Sequence, residues 1–543
     1  MEITSICLIE CSQSADAGRV AIIKGKSKRD TPIVERKSSA HTSLTYLLLF
    51  VLTAVLLFLI RDELKTKQVE HSTGLVEPPA PKAWPIIGHL YLMARYKVPY
   101  RVFDEIMADL GSVFRLDLGS VPCVVVNGLN NIREVLMIKG DHFDSRPSFR
   151  RFNQLFKGDK NNSLAFCDWS QLQKTRRELL RAHTFPNTTS NMYTRLDKCM
   201  KTELADLTDT LDTMADTECV DIKNMLLHTC ANVFMSYFCS TRFSRSYDKF
   251  REFIRNFDDV FYEVNQGAPC DFLPSLIPLY HWHFKKIRTW SSKIRNFMET
   301  EIFNKRKAAW VPGTKPVDFV DNLLDAVTQP DRDDGFDMNI GLFSLEDIIG
   351  GHSAITNFIV KTLGFLVDRP DVQRRIQEEA DAVVRASGSI GLSDRSQMPY
   401  TEAVIYESLR LIASPIVPHL ANRDTSVDGV RIPKGTTVFL NNYSLHMSPE
   451  LWNNPEHYSP ERFINAEGRL EKPEYFIPFS GGKRSCMGYK LVQLLSFCTI
   501  STLLNKYTLL PVEDVSYDVP KGNLALPFVT FPFRLRSRNY RKQ

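Results

Sequence analysis

The residue with the most chemistry to offer in this 543-residue chain is Cys486. It stands in Phe479-Ser480-Gly481-Gly482-Lys483-Arg484-Ser485-Cys486-Met487-Gly488, and an apolar helical pattern, Tyr489 to Leu504, follows at once. The ionised thiolate is the metal ligand, and the free N–H groups and dipole of a helix start stabilise it. The flanking glycines, Gly482 and Gly488 among them, let the backbone turn tightly and approach a flat cofactor. The eleven cysteines are odd in number and form no CxxC pair, which argues against a zinc ribbon or a disulfide framework. A second candidate is Gly350-Gly351-His352-Ser353-Ala354-Ile355, where an imidazole and a hydroxyl able to move protons sit side by side in an apolar run.

These groups need elements to hold them. Phe343 to Val367 reads as one apolar helix, about 37 Å long at 1.5 Å per residue. Its paired glycines predict a local kink or widened groove. From Asn131 to about Leu411 the pattern is mainly helical, with an amphipathic stretch, Asp371 to Arg385, behind Pro370. Val113 to Leu118 and Cys123 to Asn127 read as a hairpin around Gly119, and short strands return between Val427 and Phe439, with turns at Gly429 and Pro433-Lys434-Gly435. The fold class is therefore mainly α with a minor β portion.

Composition fits a large buried core, at 43% hydrophobic and 24% charged. A net charge of +5 without a clustered basic stripe excludes a nucleic-acid binder. Ser43 to Ile60 is an uncharged apolar run long enough for one membrane helix, and Arg61, Asp62 and Glu63 behind it do not resemble a cleavage site. The chain is accordingly read as a polar basic leader (1–42), a transmembrane anchor (43–60), a linker with a Pro-rich hinge (61–84) and one domain (85–543). Lys24, Lys26, Lys28, Arg29, Arg36 and Lys37 before the run outnumber Arg61, Lys65 and Lys67 after it, so the positive-inside rule conflicts with a cytosolic domain.

The Cys486 loop resembles the haem-binding loop of the cytochrome P450 family. Glu407-Ser408-Leu409-Arg410 is similar to the family's ExxR, and Pro460-Glu461-Arg462-Phe463 lies between the two, in the family's order. Glu and Arg three apart are expected by chance roughly twice in such a chain, so the pair gains meaning from its place. The resemblance implies the P450 fold behind one N-terminal transmembrane helix, and haem b, iron protoporphyrin IX, held by the Cys486 thiolate. Thiolate ligation favours O–O cleavage and hence attack on C–H bonds. The resemblance also implies that Glu407, Arg410 and Arg462 form a structural network, and that Arg484, Trp169 and His419 donate to the haem propionates. Phe479, Gly482 and Gly488 complete the cofactor loop. Where the family has Arg four residues after Trp169, this chain has Gln173. Lys174, Arg176, Arg177, Arg181, Lys483 and Lys490 are expected to form a basic face for an electron donor, NADPH-cytochrome P450 reductase.

The chain departs from the family at the distal helix: Ser353 stands where an acid belongs and Ala354 where a threonine belongs. His352, Ser353 or an ordered water is expected to substitute as proton relay. This departure and the long polar leader resemble insect members of the family that act in ecdysteroid hormone synthesis, at an early step on a 7-dehydrocholesterol-derived sterol. The apolar stretch Ala268 to Trp282 is expected to meet lipid and admit such a substrate. The location implied is the endoplasmic reticulum membrane with a cytosolic domain; the basic leader leaves the mitochondrion as an alternative. Two rivals stand beside a sterol monooxygenase: a haem-thiolate isomerase or dehydratase that needs no reductase, and a non-catalytic haem or sterol binder.

Overall fold

The computed structural model describes residue 53 and residues 74–96, 100–216, 219–328 and 335–538. The chain divides into two compact units, residues 1–71 and 72–543. The apolar run 43–60 and the leader lie outside the described residues, apart from Thr53; among the described residues no helix is long and apolar enough to cross a membrane.

In the second unit the helices of ten residues or more and the strands follow in chain order. They are α1 (Arg101–Leu110), β1 (Val113–Leu118), β2 (Val121–Val126), α2 (Gln171–Thr184), α3 (Asn191–Asp212), β3 (Cys219–Val220), α4 (Lys223–Cys239), α5 (Asp248–Val264) and α6 (His281–Phe297). After them come α7 (Phe319–Thr328), α8 (Met338–Val367), α9 (Pro370–Ser387), α10 (Pro399–Ile412), β4 (His419–Leu420), β5 (Thr425–Val427), β6 (Val430–Ile432), β7 (Thr437–Leu440), α11 (Tyr489–Lys506), β8 (Tyr507–Leu510) and β9 (Phe533–Ser537). The unit is thus mainly helical, with small sheets ordered β1-β2-β7-β4, β3-β9-β8 and β5-β6 among the described residues.

The hairpin β1–β2 forms as its turn chemistry dictates. Gly119 takes φ 58°, the left-handed region that two-residue hairpin turns demand. A Cβ there would also lie 2.4 Å from the Phe272 carbonyl, which instead accepts a hydrogen bond from Ser120 N at 2.9 Å. The strand β2 then pairs in parallel with β7, Cys123 opposite Thr437, across more than three hundred residues of chain.

The Pro-rich stretch read as a hinge is docked. Arg115 N donates to Pro79 O at 2.8 Å, Arg431 N to Val76 O at 2.8 Å, and Arg431 pairs with Glu77 at 2.9 Å. Proline lacks an N–H but keeps its carbonyl, so such a segment can still accept along a sheet edge.

The central element is α8. Asp337 caps it by accepting from Ile340 N at 2.8 Å. Apolar on nearly every side, it is buried between α4, α5, α10 and α11, as a helix without a polar face must be. α8 runs as continuous α-helix through Gly350 and Gly351. A Cβ at Gly350 would lie 2.9 Å from the Phe257 ring, and one at Gly351 would lie 3.4 Å from Phe234. The glycines let two aromatic rings press against the helix. Further along, Lys361 is fully buried, its ammonium donating to the carbonyls of Pro520 (2.6 Å) and Asn523. Burial lowers it to about 7.

Candidate active site

The Cys486 loop is built by short backbone bonds: Ser480 N to Ile477 O, Ser485 N to Gly482 O and Cys486 N to Phe479 O, all between 3.1 and 3.2 Å. Gly482 sits at φ 63°, and a Cβ on it would be 2.2 Å from the Leu136 carbonyl, so only glycine fits. The Phe479 ring lies 5.8 Å from that of Tyr489, at the start of α11. Gly488 is the residue before α11, and a Cβ there would come within 4.0 Å of Cys486 Sγ. From α2, Arg177 Nη2 donates to Ser485 O at 2.8 Å and pins the loop from the other side.

Cys486 is exposed, although many protein atoms surround it. Burial pushes its thiol up, while the N–H groups of Gly488 and Tyr489 and the Arg177 charge pull it back. Those groups face the sulfur as the start of α11 predicts, and they favour the anion that a metal would complete.

A cluster of cations lies nearby. Arg484 is buried and donates to Ala165 O (3.1 Å) and Cys167 O (2.8 Å). Arg146, which sequence reading did not single out, is also buried, with Nη1 donating to Val417 O (2.6 Å) and Pro418 O (3.0 Å) and Nε without a partner. Neither forms an ion pair with a carboxylate among the described residues. His419 Nδ1 donates to Phe143 O at 2.6 Å, leaving its buried Nε2 without a hydrogen bond. Burial first, then Arg146 and Arg484, push His419 well down; burial, Arg484 and Arg177 do the same to Arg146. Cations whose acceptors are only carbonyls are costly to bury. An anion settles them, and a haem, with two propionates and an iron that takes sulfur, fits this donor set. Trp169 is half-buried, with Lys483 Nζ 5.1 Å over its ring. The one sequence cue to Arg146 is its place before Pro147, which holds it extended.

Behind this cluster, Glu407 and Arg410 on α10 are both fully buried and pair through two contacts of 2.7 Å. Arg462 Nε joins the same carboxylate at 3.2 Å, and Ser459 N donates to it at 2.9 Å. Arg410 Nη1 reaches His446 O at 2.7 Å.

Between Gly341 and Val367 every residue of α8 is buried except Asp347, Gly350, Gly351 and Ala354. Their spacing makes one accessible stripe along an otherwise enclosed helix. His352 and Ser353 are off it. The His352 ring packs edge-on against Phe257, 5.5 Å between centroids, and its Nδ1 donates to Ile349 O at 2.6 Å. Burial holds His352 neutral, lowered to about 4. Ser353 Oγ is 3.5 Å from His352 Nε2, and Ser353 O accepts from Asn357 Nδ2 at 2.8 Å.

The expected basic face is smaller than its sequence suggested. Arg176 is buried and donates to Ser344 Oγ (2.9 Å) and the carbonyls of Asn161, Asn162 and Ser163. Lys483 is neutralised by Asp141 (2.5 Å) and Asp144 (2.7 Å). Gln173 is turned inward and donates to Leu164 O at 2.7 Å. Lys174 and Arg181 are exposed.

The stretch Ala268–Trp282 forms a short helix, Pro269–Phe272, and a 3-10 segment, Pro274–Tyr280. It is clasped to the chain at 150–156. Arg151, almost fully buried, pairs with Asp271 (2.7 Å) and Glu263 (2.8 Å), and His283 Nε2 lies 2.8 Å from Glu263.

A family model, Cytochrome P450, matches residues 78–530. Cytochrome P450 307a1 of Drosophila melanogaster is 38% identical over 509 residues, covering 88% of this chain and 93% of the relative. Cytochrome P450 1A1 of Rattus norvegicus is 31% identical over 500 residues, 88% of this chain and 92% of the relative, and that of Homo sapiens 29% over 498, with 87% and 93% covered. With a sulfur braced at a helix start, arginines buried against backbone carbonyls and a match along most of its length, the chain belongs to the cytochrome P450 family, monooxygenases that hold haem b through a cysteine thiolate.

Proposed function

We propose that Cys486 binds the haem iron and that the enzyme oxidises a hydrophobic sterol at an early step of ecdysteroid hormone synthesis. The accessible, N–H-supported sulfur supports the first part, and the 38% identity to cytochrome P450 307a1, with the unusual Gly350–Ile355 hexapeptide, supports the second. Arg484, Arg146, His419 and Trp169 would hold the propionates. When bound, the thiolate-ligated haem supplies an oxidant able to insert oxygen into a C–H bond, with electrons from NADPH-cytochrome P450 reductase. The stripe of Asp347, Gly350, Gly351 and Ala354 bounds the space beside it. Because that stripe carries neither imidazole nor hydroxyl, and its one acid, Asp347, is held by Ser163 Oγ and Leu164 N, we assign proton delivery to water admitted along it, not to His352 or Ser353. The run 43–60 would anchor the enzyme in the endoplasmic reticulum membrane, with the second unit in the cytosol.

Mass spectrometry of sterols incubated with microsomes that contain the chain and a reductase tests the reading. An oxidised sterol that forms only with electron supply is expected. Product without electrons points to an isomerase or dehydratase, and no product despite normal haem loading points to a binding protein. Cys486→Ser should abolish the Soret band that carbon monoxide gives with sulfur-ligated ferrous haem.

A further inference from the structure

We propose that Asp347 recognises a hydroxyl of the substrate, one oxygen of its carboxylate accepting from that hydroxyl at the end of the open stripe of α8 remote from Ala354. This assignment rests on the sterol reading above and deepens it, since a sterol is a flat apolar ring system that carries an alcohol.

The carboxyl is fixed through one oxygen and free at the other. Oδ2 accepts from Ser163 Oγ at 3.1 Å and from Leu164 N at 2.5 Å. Ser163 is itself held: its Oγ accepts from Ala165 N (3.0 Å) and Phe166 N (3.2 Å), and its carbonyl accepts from the buried Arg176 Nη1 at 3.2 Å. That turn sets the orientation of the carboxyl before any ligand arrives. Among the described residues Oδ1 takes no hydrogen bond and Asp347 forms no ion pair, and Oδ1 is not sealed from the space along the stripe. An ionised carboxyl offers about four acceptor positions, and two of these are filled. Burial raises the Asp347 carboxyl, while the Leu164 N–H, Arg176 and Ser163 oppose the rise. A hydroxyl donated to Oδ1 joins the opposing side and favours the anion.

The stripe gives the rest of the ligand its shape. Seven residues separate Asp347 from Ala354, about 10 Å along the helix at 1.5 Å per residue. Only Gly350 and Gly351 lie on the stripe between them, so no side chain beyond a hydrogen atom interrupts it. A rigid fused-ring molecule can lie flat on such a track, with its alcohol at Asp347 and a remote carbon beside Ala354. A fatty acid would bring its own carboxylate against that of Asp347, and like charges repel. A plain hydrocarbon would leave the acceptor desolvated and unpaired.

The experiment is spectral titration of the haem-loaded full chain, reading the Soret shift that follows substrate binding, with 7-dehydrocholesterol and with a ketone at the same carbon as its hydroxyl. The wild type is expected to bind the alcohol at least about tenfold more tightly, because the ketone brings an acceptor to an acceptor. In Asp347→Asn the amide oxygen stays with Ser163 and Leu164, so the amide nitrogen, a donor, faces the ligand. The preference should then reverse in favour of the ketone, with the carbon monoxide band intact. Asp347→Ala should bind the two compounds equally. Equal affinities in the wild type, or an alcohol preference unchanged in Asp347→Asn, overturn the proposal and leave the sterol reading standing. A shift with neither compound overturns the sterol reading, and the role of Asp347 with it.

Discussion

At the scale of single residues, sequence spacing located the sulfur but not what surrounds it. The Cys486 motif was legible because glycines at fixed offsets have one physical use, and Gly482, 2.2 Å from a carbonyl if given a Cβ, shows that use. Arg146 was not legible, because a buried guanidinium is recognisable only once Val417 and Pro418 are folded against it. His352 was read as a proton carrier on its chemistry; the helix turns it toward Phe257 and leaves Ala354 on the open stripe. A hydroxyl restored at that point should therefore matter more than removal of the imidazole. Ala354→Thr is expected to raise the ratio of oxidised sterol to NADPH consumed and to reduce peroxide release. His352→Phe should leave that ratio close to wild type. The ratio, measured with both variants beside Ser353→Ala, decides between water and side chain as the carrier.

At the scale of elements, the long helices were readable from periodicity, and their ends shifted only by caps and flanks. The apolar run Phe343–Val367 became Met338–Val367 once Asp337 supplied the cap. The hairpin was legible from Gly119, but the parallel partner β7 was not, since no local signal reports a pairing so distant in sequence. The paired glycines were noticed for their propensity, and what they do in the fold, admitting the rings of Phe257 and Phe234 against the helix, depends on tertiary neighbours that no local signal reports. The tie between α10 and the segment at Arg462 also belongs here, because one carboxylate serves both. Glu407→Ala would leave Arg410 buried with only carbonyl, thioether and ring contacts and no carboxylate, at a cost of about 3–5 kcal/mol. The expected result is a much lower yield of haem-loaded protein and an earlier thermal transition in circular dichroism, with no change in the sterol oxidised by the surviving fraction.

For the whole molecule, a lysine at 0% exposure sets a pH dependence. Lys361 titrates at about 7 in the folded chain against about 10.4 when unfolded. Between those values the unfolded chain holds a proton that the folded chain has released, so stability rises with pH across the window, by at most about 1.4 kcal/mol per pH unit from this group. Guanidinium midpoints compared at about pH 7 and pH 9 should show a rise in wild type that is smaller in Lys361→Met.

The clasp of Arg151 on Asp271 and Glu263 also bears on time. Separating Arg151 from the chain at 263–271 breaks two enclosed ion pairs together, so the open form is rare and short-lived. Burial raises Glu263, but His283 and Arg151 more than offset this and hold its carboxyl below the ordinary range, so mild acid does not release it. Ligand capture should then be limited by an internal rearrangement instead of by collision. In stopped-flow mixing the observed rate should reach a plateau as sterol concentration increases, at a level that added salt barely changes. With Arg151→Met, the plateau should give way to a rate that climbs in proportion to concentration.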